Sequence, residues 1–260
     1  MTRRDFITKG AMATAGTVLA SPVRSNAARR HLNYIQEEGE NPNPYVSNGL
    51  IHIWDAEWNV GWGQHDNNAT YWLDLVGNND HTLYGSIYFS DKALVVNSGG
   101  YTQMAEEIPS FWTIEYVCKF NATGKVAFDP MTSGESYNPK GRWLAIRGNG
   151  TLNFAGRGKA TSNSAYSVGT LQSISVTYGA AVPLNDYGTD ATTVYIGGAY
   201  TPISGSGMYG LGSYRGPGIS PFSIYPMVGE MCCIRVYSRP LSEEEILLNY
   251  AIDKARFNLP

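Results

Sequence analysis

The end of the chain constrains the fold most, because it combines a strand, a proline and a capped helix. Apart from Arg235, residues 231–237 (MCCIRVY) are β-branched, aromatic or sulfur-containing, which predicts a strand. Pro240 has no N–H to donate to a ladder and ends it. Strict alternation predicts two faces: Cys232, Ile234 and Val236 on one, and Met231, Cys233, Arg235 and Tyr237 on the other.

A short helix is predicted directly after that corner. Ser242 is its N-cap, and Glu245 stands three residues later, as in a capping box. Leu241 and Ile246 are spaced for a hydrophobic staple. Acidic residues fill the first turn, where they suit the positive end of the helix dipole. The segment is therefore expected to be a buried strand, a corner, and a helix lying back over a sheet.

Upstream, short strands alternate with turns, and no helix is predicted before residue 242. Asn149-Gly150 between two strands indicates a hairpin. The chain also holds 29 glycines with only 16% charged residues, as in sandwiches with many turns. An antiparallel sandwich is favoured over a parallel sheet. The predicted strands are Leu50–Trp54, Ser86–Phe89, Ala93–Val96, Phe111–Phe120, Trp143–Arg147, Thr151–Ala155, Leu171–Tyr178 and Thr192–Ile196.

Both ends of this region resemble one family, the concanavalin A-like lectin/glucanase (laminin G-like) jelly-roll domains of exported bacterial proteins. At the end, the resemblance lies in Gly229-Glu230, residues 235–241 (RVYSRPL) and residues 242–245 (SEEE). At the start it lies in His65-Asp66, residues 72–75 (WLDL) and residues 77–80 (GNND). The resemblance implies an all-β, antiparallel jelly-roll sandwich with a short C-terminal helix. It says almost nothing about a ligand.

The N-terminus resembles a twin-arginine export signal. Arg3 and Arg4 precede Phe6, and a weakly apolar Ala/Gly-rich run follows from Gly10 to Ala20. Small residues near Ala20 and Ala27 suit cleavage. We therefore predict a signal peptide over residues 1–27, a polar linker or N-terminal arm over 28–48, and one jelly-roll domain over 49–260. The expected location is outside the cytoplasm: periplasmic, cell-surface or secreted.

Charge and hydropathy argue against a nucleic-acid surface and against a membrane-spanning helix. The formal net charge is −3, and four basic residues but only one acid lie within residues 1–27, so the rest of the chain is more acidic still. A nucleic-acid surface is not expected on such a chain. No apolar run approaches the roughly 20 residues that a membrane-spanning helix needs.

The odd number of cysteines favours buried thiols, with a bridge from Cys118 to Cys232 or Cys233 as the alternative.

Aromatic residues beside glycines point to sugar binding. A pyranose needs a flat apolar surface for its C–H face and planar polar groups for its hydroxyls. Two glycine-rich loops supply both, and the alternative is that their rings cap the sandwich core. The candidate ligand-binding residues are Trp58, Trp62, Tyr209, Tyr214 and Arg215.

Calcium is the one cofactor that the residues suggest. Residues 66–80 are dense in Asp and Asn, whose oxygens are the ligands that Ca²⁺ prefers, and lectins of this class often hold such an ion. Asp66, Asp74 and Asp80 are the candidate ligands. The alternative is that these residues form turns, for which Asp and Asn are well suited.

The acids needed for glycoside hydrolysis are not arranged as expected. A retaining glucanase of this fold needs two carboxylates about 5–5.5 Å apart on one strand face, and the family pattern Glu-x-Asp-x-Glu is absent. Asp55, Glu57 and Glu115 are the nearest candidates. The leading hypothesis is a non-catalytic module that binds a polysaccharide or other glycan. There are two alternatives. One is a hydrolase or lyase of the same fold, and the other is a structural module that binds cell-surface proteins.

Overall fold

Antiparallel strands make up most of the described chain. The computed structural model describes residues 42–103, 112–122, 126–128, 144–146, 150–154, 160–178, 192–204 and 228–260. Every strand pairing within them is antiparallel. The strands are β1 Leu50–Asp55, β2 Tyr71–Trp72, β3 His81–Tyr84, β4 Ile87–Ser90, β5 Ala93–Val96, β6 Tyr101–Gln103, β7 Trp112–Phe120, β8 Val126–Phe128, β9 Leu144–Ile146, β10 Thr151–Phe154, β11 Ala160–Ala165, β12 Gln172–Tyr178, β13 Thr192–Ile196, β14 Ala199–Tyr200, β15 Ile203–Ser204 and β16 Gly229–Tyr237.

The largest sheet has eight strands and is built around the predicted terminal strand. Its order is β14-β13-β12-β7-β16-β5-β4, and β1 also pairs with β16. One edge of β16 is shared, since β5 pairs with Gly229–Met231 and β1 pairs with residues 233–237. The other edge pairs with β7 along its length. The last strand of the chain therefore lies at the centre of the sheet.

Two smaller sheets complete the sandwich. One has the order β15-β11-β10-β9-β8 and the other β2-β3-β6. The main core joins Trp112, Ile114 and Tyr116 of the large sheet to Trp72 of the three-stranded sheet and Leu152 of the five-stranded sheet. The predicted all-β antiparallel sandwich is confirmed, and so is the pairing of β9 with β10 across the predicted hairpin. Asn149 of that turn lies outside the described residues, while Gly150 has a positive φ of 83°.

The terminal strand departs from strict alternation at one point. The pairing of β16 with β7 shifts register between Met231 and Cys233, which is a β-bulge. Met231 consequently joins the main core with Ile234, while Cys232 packs with Cys233 on the opposite face. The predicted faces of Met231 and Cys232 were therefore wrong, because an extra residue reverses side-chain direction on one side of the bulge.

The C-terminal helix covers the opposite face of the large sheet. Helix α1 spans Glu243–Phe257, and Ser242 and Glu245 form the predicted capping box. Leu241 and Ile246 lie in one buried cluster with Tyr237. Asn258 ends the helix in the left-handed conformation, at φ 53° and ψ 47°. The predicted helix, its capping box and the packing of Leu241 with Ile246 are confirmed.

Packing begins before the predicted domain start at Gly49. Residues 41–260 form one compact unit, and Tyr45 is 4% exposed within it. Tyr45 packs with Ile53 and Phe257, and the backbone N–H of Val46 donates to Asn249 Oδ1 at 3.0 Å. A segment predicted as linker or arm therefore contributes a core aromatic. The predicted signal over residues 1–27 lies outside the described residues.

All three cysteines are buried and free. Burial raises the pKa of each thiol well above its ordinary value, so none is a thiolate at neutral pH. The alternative of a disulfide from Cys118 is not observed. Among the described residues, no helix is both long enough and apolar enough to cross a membrane.

Candidate ligand site at the loop after the first strand

The loop that follows β1 is held by a polar clamp. Buried Asn59 accepts from the backbone N–H of Asp66 at 2.9 Å and donates through Nδ2 to the Asp66 carbonyl at 2.8 Å. His65 Nδ1 lies 2.9 Å from the Ala56 carbonyl. The Leu73 N–H donates to the Asn59 carbonyl, which joins the loop to the residue that follows β2. The loop is therefore pre-organised by its own backbone contacts.

The clamped loop carries Trp58 and Trp62 as a ring pair. The ring centroids lie 5.4 Å apart with a tilt of 56°. Both side chains are half-buried. Trp62 rests on the cluster of Ile53, Cys232 and Phe257, so one side of it is supported by the fold. Two of the predicted ligand-binding residues therefore lie together, each with part of its surface exposed.

An arginine from the end of α1 holds Trp58 in place. The Arg256 guanidinium carbon is 3.8 Å from the Trp58 ring centroid, a cation–π contact. The same guanidinium donates to Asp55 Oδ2 at 2.7 Å, Glu57 Oε2 at 2.8 Å and the Tyr45 hydroxyl at 2.6 Å. Four groups from β1, its following loop and the N-terminal segment thus converge on one side chain.

Lys92 completes this charge cluster. Its Nζ lies 2.9 Å from Glu57 Oε1 and donates to the Arg256 carbonyl at 3.0 Å. Burial opposes ionisation of Glu57, but hydrogen bonds from Lys92 and Arg256 outweigh it and lower its pKa. Burial raises the pKa of Asp55 despite its pairing with Arg256. Two carboxylates and two cations therefore balance beside the indole pair.

The candidate catalytic acids do not form a hydrolase site in the described residues. Asp55 is fully buried, and Glu115 is 1% exposed and bound to Arg235 at 2.8 Å. Glu57 is the most accessible of the three, but both of its oxygens are engaged by cations. A general acid needs a raised pKa and a reachable proton, and Glu57 has neither.

The candidate calcium ligands serve as turn acceptors. Asp74 Oδ1 accepts from the backbone N–H groups of Ile53, Val76 and Gly77, and Oδ2 contacts His52 and accepts from Asn79. Asp80 accepts from the Asp74 N–H at 2.9 Å. Asp66 accepts from the Asn68 N–H at 2.8 Å. Asp74 has no oxygen left for a metal without breaking these bonds.

Metal-ligating side chains are also not grouped elsewhere in the described part of the chain, where no set of three or more His, Cys, Asp or Glu could hold an ion. Calcium binding remains a prediction. Gly77 belongs to the same turn. Glycine is required there, because a Cβ would collide with the Asp74 carboxylate and the His52 ring. The glycine of the GNND segment is thus explained by packing.

Three predicted ligand-binding residues, Tyr209, Tyr214 and Arg215, lie outside the described residues. Conversely, sequence reasoning did not find Arg256 and Lys92. Residues 57 and 256 are separated by most of the chain, so no local spacing could have indicated their contact.

Comparison with known proteins adds information on the fold only. No family model matches the chain, and no curated protein matches it by sequence. Among solved structures it is similar to Trypanosoma rangeli sialidase, with a TM-score of 0.53, 14% identity, and coverage of 90% of this chain but 38% of that chain. The same enzyme in complex with 2,3-difluoro-KDN gives a TM-score of 0.54, 12% identity, and coverage of 90% and 39%.

The binding domain of botulinum neurotoxin serotype D is also similar, with a TM-score of 0.49, 12% identity, and coverage of 80% of this chain and 53% of that chain. That score is too low to support a shared fold. The sialidase similarity concerns the fold alone. The chain spans about two fifths of the sialidase, and its identity to it is too low to transfer an activity.

Proposed function

We propose that this chain is an exported, non-catalytic carbohydrate-binding or adhesion module that holds a glycan at Trp58 and Trp62. The observation that carries the proposal is the indole pair on a clamped loop, half-exposed and supported from below. Flat, rigid aromatic faces bind the C–H surface of a pyranose at little entropic cost. The neighbouring Glu57 carboxylate and Lys92 ammonium group supply polar atoms that could bond to sugar hydroxyls.

Sialidase similarity is compatible with this proposal but does not carry it. One of the similar structures is T. rangeli sialidase in complex with sialic acid, at a TM-score of 0.52 and 14% identity. At that identity the comparison concerns the fold, and the matched part is 38% of the sialidase chain. The proposal for this chain therefore rests on its own rings.

A glycan array with and without added calcium is the first test. The protein is expected to bind a subset of glycans, and the calcium arm shows whether an ion contributes. The bound glycan then goes into titration calorimetry with Trp58→Ala and Trp62→Ala. Each change should weaken binding about tenfold or more, since central aromatic anchors typically contribute more than 1.4 kcal/mol.

A core tryptophan provides the matched control. Trp72 is fully buried, so Trp72→Ala should lower the free energy of unfolding by about 3–5 kcal/mol. Trp62→Ala should lower it by clearly less, as measured by urea denaturation. If Trp62→Ala unfolds the protein as Trp72→Ala does, or leaves glycan affinity unchanged, the proposed site is wrong.

A further inference from the structure

The charges beside the indole pair indicate what kind of glycan it takes, given the function proposed above. Arg256 and Lys92 are the described cations of the site, and Asp55 and Glu57 are its carboxylates. A site for an anionic sugar would present a cation whose donors face the ligand. Here the protein's own carboxylates are already paired with the two cations, in the place that a ligand's carboxylate would take.

Arg256 is the more strongly committed cation. Its side chain is 14% exposed, and it pairs with Asp55, which has no exposed side-chain surface. One flat face lies against Trp58. An incoming carboxylate would have to displace Asp55 or Glu57, and would leave a buried carboxylate without its partner. Removing one partner from a buried pair is far more costly than losing an exposed one.

Lys92 is more accessible but is held beside an acid. Its side chain is 51% exposed, and its Nζ is shared between Glu57 Oε1 and the Arg256 carbonyl. The Glu57 carboxylate lies between the two cations and contacts both. An anion that approached Lys92 would therefore meet the like charge of Glu57 at close range, which offsets the attraction of the exposed ammonium.

We propose that the Trp58–Trp62 site takes uncharged sugars and discriminates against sugars that carry a carboxylate, with Glu57 as the residue that sets this selectivity. Stacking on the rings and hydrogen bonds to hydroxyls supply the affinity. The carboxylate of Glu57 neutralises the cations that would otherwise attract sialic or uronic acids.

Matched oligosaccharide pairs test this inference. The probes are N-acetyllactosamine against its sialylated form, β-1,4-mannohexaose against the mannuronic acid hexamer, and α-1,4-linked galactohexaose against the galacturonic acid hexamer. For any pair that binds, the neutral member should bind about tenfold tighter or better by calorimetry. Its dissociation constant should change less than about twofold between 50 and 500 mM NaCl, because no ion pair to the ligand is screened.

A charge variant tests the role of Glu57. Glu57→Gln removes the competing carboxylate, so the ratio of the anionic to the neutral dissociation constant should fall about tenfold. Glu244→Gln is the control, because it makes the same charge change at an exposed position in the first turn of α1 and should leave the ratio unaltered.

The outcomes separate this inference from the proposed function. Tighter binding of an anionic member by the unaltered protein, or an unchanged ratio in Glu57→Gln, overturns the selectivity while leaving a glycan-binding module in place. If no member of the three pairs binds and the glycan array is also empty, the proposed function fails and this inference fails with it.

Discussion

At the scale of single residues, the most consequential side chain is Arg235 beneath α1. It is 1% exposed and donates to Glu115 Oε2 at 2.8 Å and to both oxygens of Asp253 at 2.7 and 2.5 Å. Asn249 and Ser175 donate to the same Glu115 carboxylate. Tyr45 stacks on the guanidinium at 4.0 Å. Burial acts to lower the pKa of Arg235, but Asp253 and Glu115 together raise it.

This network makes Arg235→Met strongly destabilising. Two buried carboxylates would lose their shared cation, and breaking a buried pair in this way typically costs about 3–5 kcal/mol. Urea unfolding monitored by tryptophan fluorescence measures the loss. Arg239→Met is the matched control, since Arg239 is 27% exposed and its ion-pair partner Glu245 is 29% exposed, for a cost of about 1 kcal/mol. Equal losses in the two variants would contradict this account.

At the scale of elements, α1 is fastened at both ends. Its first turn is held by the capping box and by Arg239, which donates to both oxygens of Glu245 at 2.8 and 2.6 Å. Its last turn is held by Arg256 on the loop after β1. The helix therefore connects the corner after β16 to the candidate ligand site, where its Arg256 contacts the Trp58 ring.

The stabilisation from the Arg239–Glu245 ion pair has a predictable dependence on pH. The hydrogen bonds from Arg239 lower the pKa of Glu245 below its unfolded value of about 4.3. Its stabilisation is thus fully present above that unfolded pKa and is lost as pH falls through the lower folded pKa. Glu245→Gln should cost about 1 kcal/mol at pH 7 and progressively less below pH 4.

Thermal melts of both proteins between pH 7 and pH 3 measure this difference. Glu243→Gln, at an exposed residue of the same first turn, controls for loss of charge near the helix N-terminus. A difference in melting temperature between the native chain and Glu245→Gln that stays constant over this range would contradict the linkage.

At the scale of the whole molecule, the sandwich is folded without a disulfide bond. Cys118 lies in the main core, while Cys232 and Cys233 pack on the other face of the large sheet. All three are free. The stability of the unit over residues 41–260 therefore comes from its buried apolar clusters and the buried polar network.

Thiol chemistry tests this description. Native protein should react with a thiol reagent such as DTNB only as fast as it unfolds, since the thiols are buried and protonated. In 8 M urea without reductant, three thiols per chain should titrate. Dithiothreitol should leave the melting temperature unaltered. A titre of one thiol, or a lower melting temperature on reduction, would instead reveal a disulfide.

Local features of the fold were predictable from the chain. The capping box at Ser242 and Glu245 and the bounds of Ala93–Val96 and Thr192–Ile196 follow from residues close in sequence. Short polar strands such as Ala160–Ala165 were missed, because their residues have weak strand propensity and are stabilised by neighbouring strands. The bulge at Cys232 was missed for a related reason, since register depends on what lies opposite.

The candidate site divides in the same way. Its tryptophans could be nominated from composition and neighbouring glycines, because ring exposure depends partly on adjacent side chains. Its cation, Arg256, could not, because Asp55 and Glu57 reach it only after α1 folds back across β1. Short-range backbone preferences thus specify strands, turns and the helix cap. Pairing between distant charges requires the packed chain, since only packing brings them within a few ångströms and removes the water between them.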